Sequence, residues 1–131
     1  MTAEAISPHM SVTVPIRTVS ESNSREHWAK RAKRAKAQRG AVVLTLRSVT
    51  LGEVRNRWIY EACMLRGLVV TLTRIAPRAL DDDNLRGALK AVRDGVADWL
   101  GLASDRDPRI TWQYSQERGV PHEYAVRVDI V

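Results

Sequence analysis

Apolar residues occupy alternate positions in "MSVTVPIR", where Met10, Val12, Val14 and Ile16 share one side. That period of two is the signature of a half-buried strand. Pro15 lacks an N–H for the ladder, so the strand is expected at a sheet edge. The same period returns twice near the end of the chain, as Ile110, Trp112 and Tyr114 and then as Tyr124, Val126, Val128 and Ile130. "ERGVPHE" between those two runs has turn chemistry and the length of a hairpin connection. "LVVTLTRI", residues 68–75, is instead almost continuously apolar, which predicts a strand covered on both faces and ended by Pro77.

The remaining segments carry helical patterns. Leu85, Leu89, Val92, Val96 and Trp99 recur at helical spacing, predicting one amphipathic helix from Asp83 that stops at Gly101. A second helix is expected after "VSESNSRE", because Asn23 and Glu26 have capping-box spacing. Its first half is Ala, Lys, Arg and Gln, all good helix formers. Gly40 is placed to bend or interrupt it, and "AVVLTLRSV" suits either a strand or a continuation; continuation is favoured. Residues 50–66 give no readable period. The expected order is β-α-β-α-β-β: a mixed α/β domain with a small mixed sheet and two main helices packed on it. Residues 1–9 are expected to form a flexible leader, and 10–131 a single domain, as suits a chain of 131 residues.

Charge sharpens this picture. Twenty-one Lys and Arg against fifteen Asp and Glu give +6. Between Arg25 and Arg39 lie seven cations (Arg25, Lys30, Arg31, Lys33, Arg34, Lys36, Arg39) and one acid, Glu26, so this short stretch equals the surplus of the whole chain. Between Asp81 and Asp107 the balance reverses, with seven aspartates against Arg86, Lys90, Arg93 and Arg106. A basic arm beside an acidic nest points to a polyanion held by one region and worked on by the other. The one cysteine, Cys63, cannot form an internal disulfide, which fits a reducing cytoplasm. No apolar run reaches the length of a membrane span, and the first ten residues lack the pattern of a signal peptide.

"LDDDNLRGALKAVRD", residues 80–94, carries the candidate chemistry. In the extended entry to the helix, Asp81 and Asp83 point the same way and Asp82 points away. Asp83, Gly87, Lys90 and Asp94 then form one stripe off the apolar face, and Gly87 leaves a bare patch for a phosphate. Asp105 and Asp107 lie in the loop before a strand that can return beside the second one. Convergent carboxylates without His or Cys would make a hard-oxygen site suited to Mg²⁺ or Mn²⁺, not zinc. Such an ion orients and activates water and neutralises charge on a phosphate. Asn84 is placed to hold a carboxylate or contact the substrate backbone. The competing reading is structural: acids at a helix start are favoured by its dipole, and Asp82 is assigned that role.

The cations of the arm cannot share one helix face, which suits an element lying along phosphates; a solvated helix is the alternative. Trp28 is read as a core anchor in preference to a base-stacking residue. His27, with no second histidine near it, is not read as a metal ligand.

"LDDDNLRGALKAVRDGV", "SDRDPRI" and "SNSREHWAKRAKR" together resemble the RusA family of Holliday junction resolvases, especially its phage-encoded members. The resemblance spans roughly residues 10–130 in element order. It implies a homodimeric α/β fold and Mg²⁺-dependent cutting of four-way DNA junctions by paired nicks, an endodeoxyribonuclease activity of DNA recombination and repair. By this likeness Asp81 and Asp83 match the two motif aspartates. Asp107, followed three residues later by Ile110, matches a third metal-binding aspartate, and Asp105 competes because its distance from Lys90 fits better. The family's functional lysine falls at Gly87 here; "KAVRD" begins three residues later, at Lys90, and Arg86 is the other candidate cation. Two further classes stay open: a non-catalytic junction-binding protein that retains the fold, and a protein-interaction module whose acids are only a helix cap.

Overall fold

The computed structural model describes residues 10–21, 27–49 and 53–131. Chain order is β1 (Met10–Val14), α1 (Trp28–Val49), α2 (Glu53–Leu65), β2 (Leu68–Ala76), α3 (Asp82–Ala88), α4 (Lys90–Leu100), β3 (Ile110–Arg118) and β4 (Ala125–Ile130). The expected mixed α/β class is present, with two differences in its helices. The unreadable stretch holds α2, and the single expected helix after Asp83 is divided at Leu89 into α3 and α4. The proposed leader, Arg25 and the Asn23/Glu26 capping box lie outside the described residues.

The four strands form one sheet in the order β1-β4-β2-β3, with β2 and β3 parallel and the other two pairings antiparallel. β1 is an edge strand, as Pro15 required. The expected β3–β4 hairpin does not form, because β2 lies between those strands. Strands sit ~4.8 Å apart, so the connection need span only about 10 Å. Residues 119–124 do so across the end of β2, where the Gly119 amide donates to the Ala76 carbonyl at 2.8 Å. This arrangement places the most apolar strand in the interior and gives β2 hydrogen-bonding partners on both edges.

Even-numbered strand residues build the core. Met10, Val12, Val14, Leu68, Val70, Leu72, Ile110, Val126, Val128 and Ile130 are buried against Val42 and Leu46 of α1, Ile59 of α2, and Leu85, Leu89, Val92 and Val96 of α3 and α4. The opposite face is polar: Ser11, Thr13, Thr111, Gln113 and Ser115 are exposed. The reading of β2 as covered on both faces by other layers is therefore corrected. Its second face carries Thr71 and Thr73, and Thr73 is buried (2% exposed) by its strand neighbours. On that same face Arg127 of β4 reaches across β2 to Glu117 of β3.

α1 runs through Gly40 without a break, and its buried residues, Gln38, Val42 and Leu46, form one thin line at four-residue spacing. Its other residues, the cations among them, are half-buried or exposed. Gly67, at φ +80°, turns the chain from α2 into β2; a Cβ there would lie 2.6 Å from the Arg109 carbonyl oxygen. That close approach lets the Leu68 amide donate to the same oxygen at 2.8 Å and fixes the loop before β3.

Candidate active site

The acidic run is anchored by Leu80. The side-chain amide of Gln116 on β3 clasps it in both directions, accepting from the Leu80 N–H at 2.8 Å and donating to its carbonyl at 2.7 Å. Asp81 follows in extended conformation (φ −71°, ψ 168°) and is the N-cap of α3, its Oδ1 accepting from the Asn84 amide at 3.0 Å. The helix starts one residue earlier than its apolar period indicated, which makes Asp81 its cap and leaves Asp82 the dipole role it was assigned. Asp82 and Asp83 occupy the exposed first turn, where the helix dipole favours them.

At Leu89 the backbone (φ −98°, ψ 3°) leaves helical geometry, and the Leu89 amide is shared between the carbonyls of Leu85 and Arg86 at 3.1 and 3.3 Å. Lys90 therefore opens a second helix. Its Nζ donates to Asp94 Oδ1 at 2.9 Å and to Asp105 Oδ2 at 2.8 Å. Arg93, one turn on, braces the same loop: Nη2 donates to the Asp105 carbonyl at 3.1 Å and Nη1 to the Tyr114 hydroxyl at 2.9 Å. Its guanidinium stacks 4.7 Å from the Trp112 ring centroid, while Trp112 Nε1 donates to the Asp105 carbonyl at 2.9 Å. Arg93 Nε also lies 2.7 Å from Asp105 Oδ2, with its N–H out of line, so that contact is an ion pair without a hydrogen bond.

Asp105 is consequently a partner of cations. Its side chain is 12% exposed. Burial alone would raise its pKa, but the hydrogen bond and charge of Lys90 and the charge of Arg93 together hold it below the ordinary carboxylate value. The Lys90 ammonium is opposed by burial and raised, on balance, by Asp105 and Asp94.

Asp107 belongs to a different neighbourhood. Arg109 grips it with its backbone N–H (2.9 Å to Oδ1), Nε (3.0 Å to Oδ1) and Nη2 (2.7 Å to Oδ2). These bonds hold the Asp107 carboxyl at about 2. The sheet register keeps it away from Asp81. Asp107 precedes Ile110, which pairs with the first residue of β2, whereas Leu80 is clasped at Gln116. Six positions along a strand are ~20 Å.

Lys90 and Asp105 come together, a pairing the sequence did not announce; Asp107 does not reach Asp81 and Asp83. Among the described residues, no three of His, Cys, Asp and Glu lie close enough to hold a metal ion. Asp105 and Asp107 are already paired with Lys90, Arg93 and Arg109, whereas Asp81, Asp82 and Asp83 are exposed. Arg93, Arg109 and Gln116 were missed; only Arg109 left a signal, two residues from Asp107 in "DPR". An open cleft of about 730 Å³ is bounded by Asp82, Arg86, Arg93, Trp112 and Tyr114. Arg86 lies over the Tyr114 ring at 5.7 Å, one wall of that cleft.

The basic arm divides into two sets. Arg34 is bound bidentately by Glu21 (Nε 3.0 Å, Nη2 2.6 Å), and Arg39 by Asp98 of α4 (Nη2 to Oδ1, 2.7 Å), so these two fasten α1 to the rest of the molecule. Lys30, Lys33 and Lys36 are exposed and Arg31 half-buried, with no ion pair seen for them among the described residues. Trp28 is 69% exposed, which corrects its assignment as a core anchor. It lies at the helix start beside His27, ring centroids 5.4 Å apart. His27 Nδ1 accepts from the Ala29 amide at 3.1 Å and serves as a cap.

No protein-family model matches the chain, and a search of curated proteins returns no match. Among the described residues, no helix is long and apolar enough to cross a membrane.

Proposed function

We propose that the protein acts on branched DNA, as a Mg²⁺-dependent structure-selective endodeoxyribonuclease that nicks four-way junctions in pairs as a homodimer in the cytoplasm. Manganese is the alternative ion. One observation carries this reading: Asp82, one of three exposed acids at the start of α3, lines a cleft walled by Arg86, Arg93, Trp112 and Tyr114. Cations and aromatic rings suit a nucleic-acid strand, and acids beside them are otherwise repulsive to phosphate. The RusA-like motif supplies the reaction class. Arg86 stands at the same rim, with Asn84 two residues before it, and the exposed lysines of α1 with Trp28 offer a second stretch of contact.

A second reading is favoured by a specific observation. Because Lys90, Arg93 and Arg109 already neutralise Asp105 and Asp107, the fold also suits a junction-binding protein without turnover. Incubating a synthetic four-way junction with wild type and Asp83→Asn, in Mg²⁺ and in chelator, separates the two. Metal-dependent paired nicks that vanish in the variant support the nuclease. Tight binding without cuts in Mg²⁺ and Mn²⁺ supports the binder, and absence of junction affinity refutes both.

A further inference from the structure

Where the chain leaves β1 and where it leaves β2, two segments enclose a cavity of about 250 Å³ lined by Arg17, Thr18, Ser20, Arg74, Arg78 and Tyr124. Arg74 projects from β2 and is 6% exposed. Its guanidinium meets neutral oxygens: Nε donates to Thr18 Oγ1 at 3.0 Å, Nη1 to the Arg78 carbonyl at 2.7 Å, and Nη2 to the Thr18 carbonyl at 3.4 Å. Among the described residues no carboxylate lines the cavity. The charged and titratable groups around it are Arg17, stacked 4.3 Å over the Tyr124 ring, Arg78 and Tyr124 itself. Burial pushes the Arg74 pKa down and the Arg17 charge adds to that, with Tyr124 opposing. Ser20 also lines the cavity, and among the described residues its buried Oγ has no hydrogen-bond partner.

A buried cation without an anion and a buried hydroxyl without a partner are both unfavourable states of a folded protein. One ligand removes both. We propose that this cavity is a phosphate site, with Arg74 as its buried floor, Arg17 and Arg78 as its exposed rim, and Ser20 as a hydroxyl donor. A tetrahedral oxyanion offers several acceptors to donors arriving from different directions, and guanidinium groups are the side chains best matched to it. The site shares no residue with the acidic start of α3 and stands whether or not the protein cuts DNA.

The test is thermal unfolding of the full chain in inorganic phosphate against chloride at matched ionic strength. Wild type, Arg17→Ala, Arg78→Ala and Ser20→Ala are compared. Phosphate is expected to raise the wild-type Tm well beyond chloride, and the two exposed-arginine variants to weaken that response by roughly tenfold or more in apparent affinity. Ser20→Ala is expected to melt higher than wild type without phosphate, having lost an unpartnered group, yet to gain less from it. Phosphate also stabilises proteins generally by exclusion. Equal responses in all four proteins, or no difference from chloride, therefore overturn the site. Duplex-DNA affinity against salt then identifies the source. A slope reduced by about one in Arg78→Ala assigns the site to a backbone phosphate, and an unchanged slope assigns it to free phosphate or a phosphomonoester.

Discussion

Replacing Gly95 with Ala adds one methyl group where α4 crosses α1. Gly95 is buried, and a Cβ built on it would stand 2.8 Å from the Arg39 carbonyl oxygen, 2.8 Å from Val42 Cβ and 3.1 Å from Val42 Cγ1. Comfortable separations are ~3.5–4.0 Å, so the helices must part by about 0.7–1 Å at the crossing. The first obstacle is backbone, which no rotamer change can remove. Overpacking of this kind costs ~1–3 kcal/mol, while Ala in place of Gly returns up to ~1 kcal/mol of helix propensity. The net expectation is a loss of about 1–2 kcal/mol. Gly40→Ala is the matched control: it lies within α1, is exposed, and its Cβ would meet nothing within 4 Å. There the propensity term acts alone, a gain of ~0.5–1 kcal/mol. For a domain of this size Tm moves roughly 3–6 °C per kcal/mol, so the two variants should separate in opposite directions from wild type. Calorimetry with urea unfolding at constant m-value reads both. If Gly95→Ala melts at or above wild type, the helices do not cross as closely as described and the account of α1 docking fails.

Other expectations follow from the site. Trp28→Ala should change unfolding stability by less than ~0.5 kcal/mol, as a surface change does, yet weaken junction binding by ~1–3 kcal/mol through lost stacking; a large loss of stability instead would return Trp28 to the core. Lys33→Ala with Lys36→Ala should flatten the dependence of log K on log salt by up to ~0.9 per lost phosphate contact, whereas Arg39→Ala should lower Tm by detaching α1 from Asp98. Asp107, held at about 2 by Arg109, has a folded pKa below its unfolded one. Its contribution to stability is therefore present above pH ~4. It is lost as pH falls through 2, so the Tm difference between wild type and Asp107→Asn should shrink steadily between pH ~4 and ~2. A difference that stays constant across that window would show that the Arg109 contact is not its source.

Local pattern was readable and pairing was not. β1, β2, β3, β4 and the Gly101 stop were legible because each is declared by its own residues. α2 escaped because Tyr60, Met64 and Leu65 are apolar yet exposed, which blurs its periodicity. The helix break escaped because Leu85, Leu89 and Val92 keep their spacing through it. The hairpin expectation failed because strand order depends on which partners bury β2 best, and no dipeptide in 119–124 encodes that. At the site, the Asp81 and Asp83 motif stood out in the sequence, but the pairing of Lys90 with Asp105 did not. The arginines that neutralise the carboxylates, and the Gln116 clasp on Leu80, depend on β3 lying parallel to β2. Trp28 went wrong for a plainer reason: a tendency of tryptophans to be buried says nothing about one at the first residue of a cationic helix.

The β1–β4 pairing has a consequence for how the chain acquires its structure. Met10 is in register with Ile130 and Val14 with Val126, so the edge of the sheet joins residues separated by almost the whole sequence. β4 is also the strand that links β1 to β2. During synthesis, β2, β3 and the helices between them can assemble early, but β1 has no strand partner until β4 has left the ribosome. Such high contact order belongs to the slower folders, in the millisecond-to-second range. Until then the Met10–Val14 edge is an open strand, available to a neighbouring chain as readily as to its own β4.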